Sequence, residues 1–351
     1  MNTASVSQLE QHVGQTMSGQ YTLAGVDERT TQFGDRYKTL RLVDYSGQLR
    51  VFAWPNAGLL DCVPVKTPTP VRADLYVRRL HGEVIANLQG IHELEPHEIE
   101  NAAALLSFEA CPPGARPALA KLVEFVRGLE SELLRVFLNR TLLDPRIAAG
   151  ITTCKGSQRH HHCEPGGLLT HSIEVAEIAR DMAGCRLNPL ERAITQVAAF
   201  LHDLGKLRAV GSGSVRPVHY LLASHESQTV RMLDPHLEWL RARSPEIAAG
   251  LNYTLEFLAQ APSERGHARF VGADLVSAAD RFSAALANRK RLADLLAKTL
   301  PSRRAGVETA PPQSIPSLSP HETAQAYSQS GRSSRRHTQH RNPNLCKGAL
   351  Q

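Results

Sequence analysis

The hydrophobic period of this chain changes once. From residue 18 to 95 apolar and polar residues mostly alternate, whereas from Glu98 to about Leu300 apolar residues recur at helical spacing. The sequence therefore predicts a β unit followed by an α unit. Tyr21–Val26, Lys38–Val43, Gln48–Trp54, Val71–Val77 and Glu83–Leu88 read as short strands, with Asp44-Tyr-Ser-Gly47 as the turn between the second and third. With 351 residues, 42% of them hydrophobic, there is material for two cores.

Five short strands in so few residues suit a small closed barrel, of which the OB-fold is the commonest form. The predicted class is an α+β multidomain protein. Residues 1–17 form a polar lead-in, 18–95 an OB-like nucleic-acid-binding domain, 96–300 an all-α domain and 301–351 a disordered basic tail. In the barrel, Arg41, Arg50, Arg78 and Arg79 are interleaved with Tyr37, Phe52, Trp54 and Tyr76. Single-strand binders need aromatic faces for bases and cations along the backbone track. Arg41, Arg50, Trp54 and Arg78 are the candidate nucleic-acid contacts, and at least two of the four aromatics are expected in the core.

The net charge of +6 is concentrated in the tail, where seven Lys/Arg face two Glu, so the first 300 residues carry only +1. A nucleic-acid grip must then come from local patches. No apolar run approaches the roughly 20 residues that span a bilayer, and Met1–Ser5 lacks the basic and apolar regions of a secretory signal. Six scattered cysteines with no Cys-x-x-Cys pair predict reduced thiols and a cytoplasmic location.

Within the helical part, Ala118–Phe137 reads as one long helix opened by Pro117, and Pro235 is among the residues that punctuate the later ones. Gly166-Gly167 opens a helix over Leu168–Met182 that carries His171 on its buried side. The apolar helix Leu190–Leu201 runs into His202-Asp203-Leu-Gly-Lys206, and Gly205 reads as its C-terminal cap. A His-Asp pair beside a buried helix end is costly unless a cation neutralises it. Asp280 lies beside Ala279 at the apolar face of a later helix. Its rival Asp274 could instead be explained by Arg269 or Arg281. Two imidazoles and two carboxylates make a mixed nitrogen/oxygen donor set suited to Mn²⁺, Fe²⁺ or Mg²⁺. A divalent ion so held lowers the pKa of a bound water and polarises a phosphoryl oxygen, the chemistry of phosphoester hydrolysis. Lys206 is placed to approach a phosphate.

His161-His162-Cys-Glu-Pro-Gly-Gly-Leu-Leu-Thr-His171, His202-Asp203-Leu-Gly-Lys206 and Ala279-Asp280 together resemble the HD-domain metal-dependent phosphohydrolases, and within them the YhaM-type 3′–5′ exoribonucleases, which place an OB-fold before the HD domain. The resemblance implies that His171, His202, Asp203 and Asp280 ligate metal, that His161 and His162 lie in the pocket near the phosphate, and that His225 matches a family histidine that follows the HD pair. The family's second histidine pair is absent from Asn252–Pro262, so one ion, Mn²⁺ before Fe²⁺ or Mg²⁺, is expected. The run His160-His161-His162 before Pro165-Gly-Gly-Leu-Leu is also similar to the HD-type relaxase domain of conjugative elements, the MobH/TraI class.

The sequence thus predicts a metal-dependent nuclease acting on single-stranded RNA or DNA. Catalysis would rest on Asp203, Lys206, His161 and His162, and metal on His171, His202, Asp203, Asp280 and His225. The competing readings are a conjugative relaxase and a degenerate HD domain that binds nucleic acid without cutting it.

Overall fold

The computed structural model describes residues 4–55, 58–157, 162–184, 186–210, 222–261 and 263–299; the predicted tail over 301–351 lies outside the described residues. Strands β1 (Thr16–Thr30), β2 (Arg36–Val43), β3 (Gln48–Ala53), β4 (Thr69–Leu80) and β5 (Glu83–Glu93) close a barrel in the order β1-β2-β3-β5-β4. The β3–β5 pair is parallel, and the others are antiparallel. This is the five-stranded Greek-key order of an OB-fold.

Alternation dictates which side chains enter the barrel. Leu40, Leu42, Leu49, Val51, Val71, Leu75 and Val77 fill it, each worth about 1.5–3 kcal/mol of transfer from water. The intervening residues Tyr37, Arg41, Arg50, Phe52, Trp54 and Tyr76 therefore face outward, and none of them is buried. The expectation that two of the aromatics enter the core is corrected by this parity. The core aromatic is Tyr21, whose hydroxyl donates to the Ala4 carbonyl at 2.8 Å.

The stretch read as a lead-in is part of the barrel. A 3₁₀ turn, Val6–His12, buries Leu9 in the barrel core. The Val6 N–H donates to Asp44 Oδ2 at 2.8 Å. Asp44 Oδ1 accepts from the Ser46 and Gly47 N–H groups, so one buried carboxylate fixes both the β2–β3 turn and this strap. Burial pushes the Asp44 carboxyl up against the pull of these hydrogen bonds.

The helices are α1 (Arg116–Arg127), α2 (Glu132–Leu143), α3 (Pro145–Ile151), α4 (Gly167–Ala183), α5 (Pro189–Leu201), α6 (Lys206–Ala209), α7 (His225–Arg241), α8 (Pro245–Ala259) and α9 (Val271–Thr299). The long helix expected over 118–137 is two. The Gly128 N–H closes α1 on Glu124, and Ser131 caps α2 by accepting from Leu134 N–H. Pro235 lies inside α7 instead of ending a helix. Buried Asn139 joins barrel exit to helices: its Oδ1 accepts from Ala102 N–H at 2.9 Å and its Nδ2 donates to the carbonyls of Ile99 and Glu100. No described helix is long and apolar enough to cross a membrane.

Candidate metal centre and nucleic-acid interface

Four helices deliver five polar side chains to one point. α4 brings His171, the end of α5 brings His202 and Asp203, the start of α7 brings His225, and α9 brings Asp280. Glycines make this approach possible. Gly166 enters α4 with φ +79°, and a Cβ on Gly167 would overlap the His162 carbonyl oxygen. Gly205 differs from the expected left-handed cap: its φ is −60°. Its role is close approach, because a Cβ there would overlap the His225 carbonyl oxygen. Its N–H donates to Thr229 Oγ1 at 2.8 Å, which seats α7 against the His-Asp doublet.

His171, His202 and Asp203 form a possible metal site, offering donor atoms that all lie within 4.8 Å of one another. His171 Nε2 is 3.2 Å from Asp203 Oδ2 and 3.2 Å from Asp280 Oδ1. His202 Nε2 is 3.3 Å and 3.7 Å from the same two oxygens. Donors bound to one centre at about 2.1 Å stand roughly 3.0–3.4 Å apart, close to these spacings. His202 Nδ1 donates to the Ala199 carbonyl at 2.7 Å, which turns Nε2 toward the carboxylates. That buried Nε2 makes no well-formed hydrogen bond, with Asp203 Oδ2 3.3 Å and Asp280 Oδ1 3.7 Å away. A buried imidazole nitrogen facing two carboxylates calls for positive charge between them, a proton or a metal ion, and the donor set fits a hard or borderline divalent ion.

The electrostatics carry the same demand. Burial opposes a charge on His202, yet Asp203 and Asp280 outweigh it and push its pKa up to about 10. Burial also works against ionised Asp203, but His202 and Lys206 hold it well below the ordinary carboxylate range. Asp280 is likewise held low, burial being outweighed by His171 and His202. In the absence of metal these charges are met by protons and by Lys206 Nζ, which ion-pairs with Asp203.

His225 reaches the other oxygen of Asp203, with Nε2 3.0 Å from Oδ1, and also lies 3.4 Å from Glu226. His162 Nε2 is 3.0 Å from Glu174 Oε2, while His161 lies outside the described residues. Asp274, the rival to Asp280, accepts from the Ala268 N–H at 3.2 Å. A cavity of about 650 Å³ opens onto the cluster. Arg265 and Arg281 line it, neither singled out for the site from the sequence. Arg265 is held by the Leu258 and Gln260 carbonyls and Ser277 Oγ, none of which neutralises it. Arg281, next to Asp280 in sequence, was the available signal.

On the barrel, Tyr37, Trp54 and Phe52 form a ladder over β2 and β3. Tyr37 and Trp54 stack with centroids 5.0 Å apart and Phe52 and Trp54 at 6.2 Å, all within 28° of coplanar. A second cavity of about 1230 Å³ along this face is lined by Tyr37, Arg41, Arg50 and Phe52. Arg41 pairs with Glu109 at 2.9 Å and Arg50 with Glu83 at 3.9 Å. Exposed pairs of this kind contribute about 0–1 kcal/mol and yield readily to a phosphate. Arg78 lies 6.0 Å over the Phe52 ring, and its buried Nε has no hydrogen-bond partner.

Residues 168–285 match the HD domain family, a superfamily of metal-dependent phosphohydrolases. No curated protein matches the chain. Among solved structures, the second OB-fold domain of replication protein A from Methanococcus maripaludis is similar at 19% identity, over 24% of this chain and 87% of that one, with a TM-score of 0.20. A putative aspartyl-tRNA synthetase from Leishmania major Friedlin is similar at 12% identity, over 41% and 32%, with a TM-score of 0.24. The aspartyl tRNA synthetase from Entamoeba histolytica is similar at 9% identity, over 72% and 57%, with a TM-score of 0.28.

Proposed function

We propose that this chain hydrolyses phosphodiester bonds of single-stranded nucleic acid, with RNA degraded from its 3′ end. The observation that carries the chemistry is the orphaned Nε2 of buried His202, aimed at two carboxylates whose charge calls for a cation. His171, His202, Asp203 and Asp280 would hold that ion. When bound, it supplies Lewis-acid chemistry, polarising a phosphoryl oxygen and acidifying water.

The chain's own residues supply the rest. Asp203 orients the attacking water, His225 with its Nε2 3.0 Å from the outer oxygen steadies that carboxylate, and the water's proton leaves through the open cavity. Arg265 and Arg281 face the cavity with guanidinium groups suited to non-bridging phosphate oxygens. Lys206 limits the negative charge of Asp203, so that a polyanion can approach. The Tyr37–Trp54–Phe52 ladder, with Arg41, Arg50 and Arg78 beside it, supports single-strand binding by stacking and backbone neutralisation. The 3′–5′ polarity and the preference for RNA come from the resemblance to the YhaM-type enzymes.

The test is end-labelled single-stranded RNA and DNA incubated with Mn²⁺ and either the wild type or Asp203→Ala. A 5′-labelled RNA should yield a descending ladder with the wild type and stay intact with the variant. Full Mn²⁺-dependent cleavage by Asp203→Ala would overturn the assignment, and site-specific nicking of supercoiled DNA would move it to a relaxase.

A further inference from the structure

Behind the cluster lies a second set of polar residues. Ser283, fully buried on α9, has its Oγ 3.4 Å from His171 Nδ1, on the side of the ring away from Asp203 and Asp280. Glu174, one turn after His171 on α4, has its carboxylate beside Ser283 and accepts from His162 Nε2 at 3.0 Å. His162 is held with φ +56°, a conformation that non-glycine residues seldom adopt. Its carbonyl accepts from the Gly156 and Ser157 N–H groups at 2.8 and 3.3 Å, and Gly167 leaves it room. The cost of that conformation, about 1–3 kcal/mol, is sustained by a surrounding that over-determines it.

Proton counting gives this set a direction. A carboxylate only accepts, and a serine hydroxyl has one proton. If Ser283 donates to Glu174, its oxygen is left to accept from His171 Nδ1–H. The His171 lone pair is then fixed on Nε2, facing Asp203 and Asp280. We infer that Glu174, held by His162, is a positioning residue that acts through Ser283 to lock His171 in the tautomer that ligates metal. The inference rests on the metal-site reading above, and it assigns His162 a structural task behind the ligands. Partners of this kind orient a ligand imidazole and raise its basicity, and losing them commonly costs 10–100-fold in metal affinity.

Glu174→Gln is the sharpest probe, because a side-chain amide can donate to Ser283 and reverse the relay. Mn²⁺ titrated calorimetrically into the full chain should bind the wild type and fail to bind Asp203→Ala. Glu174→Gln and Ser283→Ala should each bind 10–100-fold more weakly while their circular dichroism and thermal midpoints without metal stay near wild type. The double variant should be no weaker than the weaker single one, since the two act as one unit. If Glu174→Gln and Ser283→Ala bind Mn²⁺ as the wild type does, or their losses add in full, the relay is refuted and the metal site stands. If the wild type binds no Mn²⁺, or Asp203→Ala binds it equally well, the metal-site reading fails and the relay with it. Should Glu174→Gln not fold, Ser283→Ala alone decides between these outcomes.

Discussion

Gly205 lies so close to His225 that a single added Cβ would overlap the His225 carbonyl oxygen and stand 2.6 Å from the Thr229 nitrogen. The backbone atoms it would strike belong to α7 and cannot swing aside like the end of a side chain. Gly205→Ala should therefore push α7 outward, cost about 3 kcal/mol in denaturant unfolding, and weaken Mn²⁺ binding by drawing His225 away from Asp203. Unchanged stability and unchanged Mn²⁺ affinity would show that α7 can move without disturbing the doublet.

Metal and chelator should act on stability in opposite directions. Mn²⁺ at about a hundred times its dissociation constant should stabilise the wild type by roughly 3 kcal/mol, a rise of several degrees in Tm that EDTA abolishes. His202→Ala should show no such shift. The same rise in His202→Ala would place the ion elsewhere.

Trp54 stacks on both Tyr37 and Phe52 and faces away from the barrel interior. Trp54→Ala should leave barrel stability nearly unchanged while weakening oligonucleotide binding by about 1–3 kcal/mol for each base it stacks. Fluorescence anisotropy of a labelled oligonucleotide at fixed salt measures this. An equal loss for Tyr76→Ala, which lies outside the ladder, would argue against a defined track.

Asp144 links α3 to α7 by pairing with Arg146 and with His236, whose Nε2 lies 3.0 Å from its Oδ2. Hydrogen bonds from Arg146, opposed by burial, hold its carboxyl well below the ordinary range. A carboxylate with a depressed folded-state pKa contributes stability that is complete above its unfolded value near 4 and is lost as pH falls toward the folded one. Asn also caps helices well, so Asp144→Asn keeps the cap to the Arg146 N–H and removes the charge. The wild type should be more stable than the variant by about 1 kcal/mol at pH 7. The gap should close as pH drops below about 4. A gap independent of pH would assign the effect to shape.

Strand alternation was legible because each barrel strand has one face inside and one outside, but which face the aromatics take was not, and the closed barrel is what puts Arg41, Arg50, Phe52 and Trp54 together on its outer side. The His171, His202-Asp203 and Asp280 set could be picked out because buried imidazole and carboxylate at helix positions are costly without a partner. Features that depend on distance across the fold were harder to see. Gly205 carries a cap-like signature at a helix end, and only the nearness of α7 shows that its missing side chain serves packing. The Glu174–Ser283 link left a faint trace: Glu174 follows His171 by three residues and Ser283 follows Asp280 by three, so each sits one turn beyond a candidate ligand. The split between α1 and α2 escaped notice because the apolar rhythm continues through Gly128–Ser131 while the backbone does not.

The placement of β5 between β3 and β4 sets an order of events on the ribosome. The barrel closes once the chain has been made as far as Glu93, whereas the acid and imidazole cluster waits for Asp280 on α9. A growing chain thus completes its aromatic face long before it gathers its charged centre. The face proposed for single strands therefore exists before the proposed metal centre does.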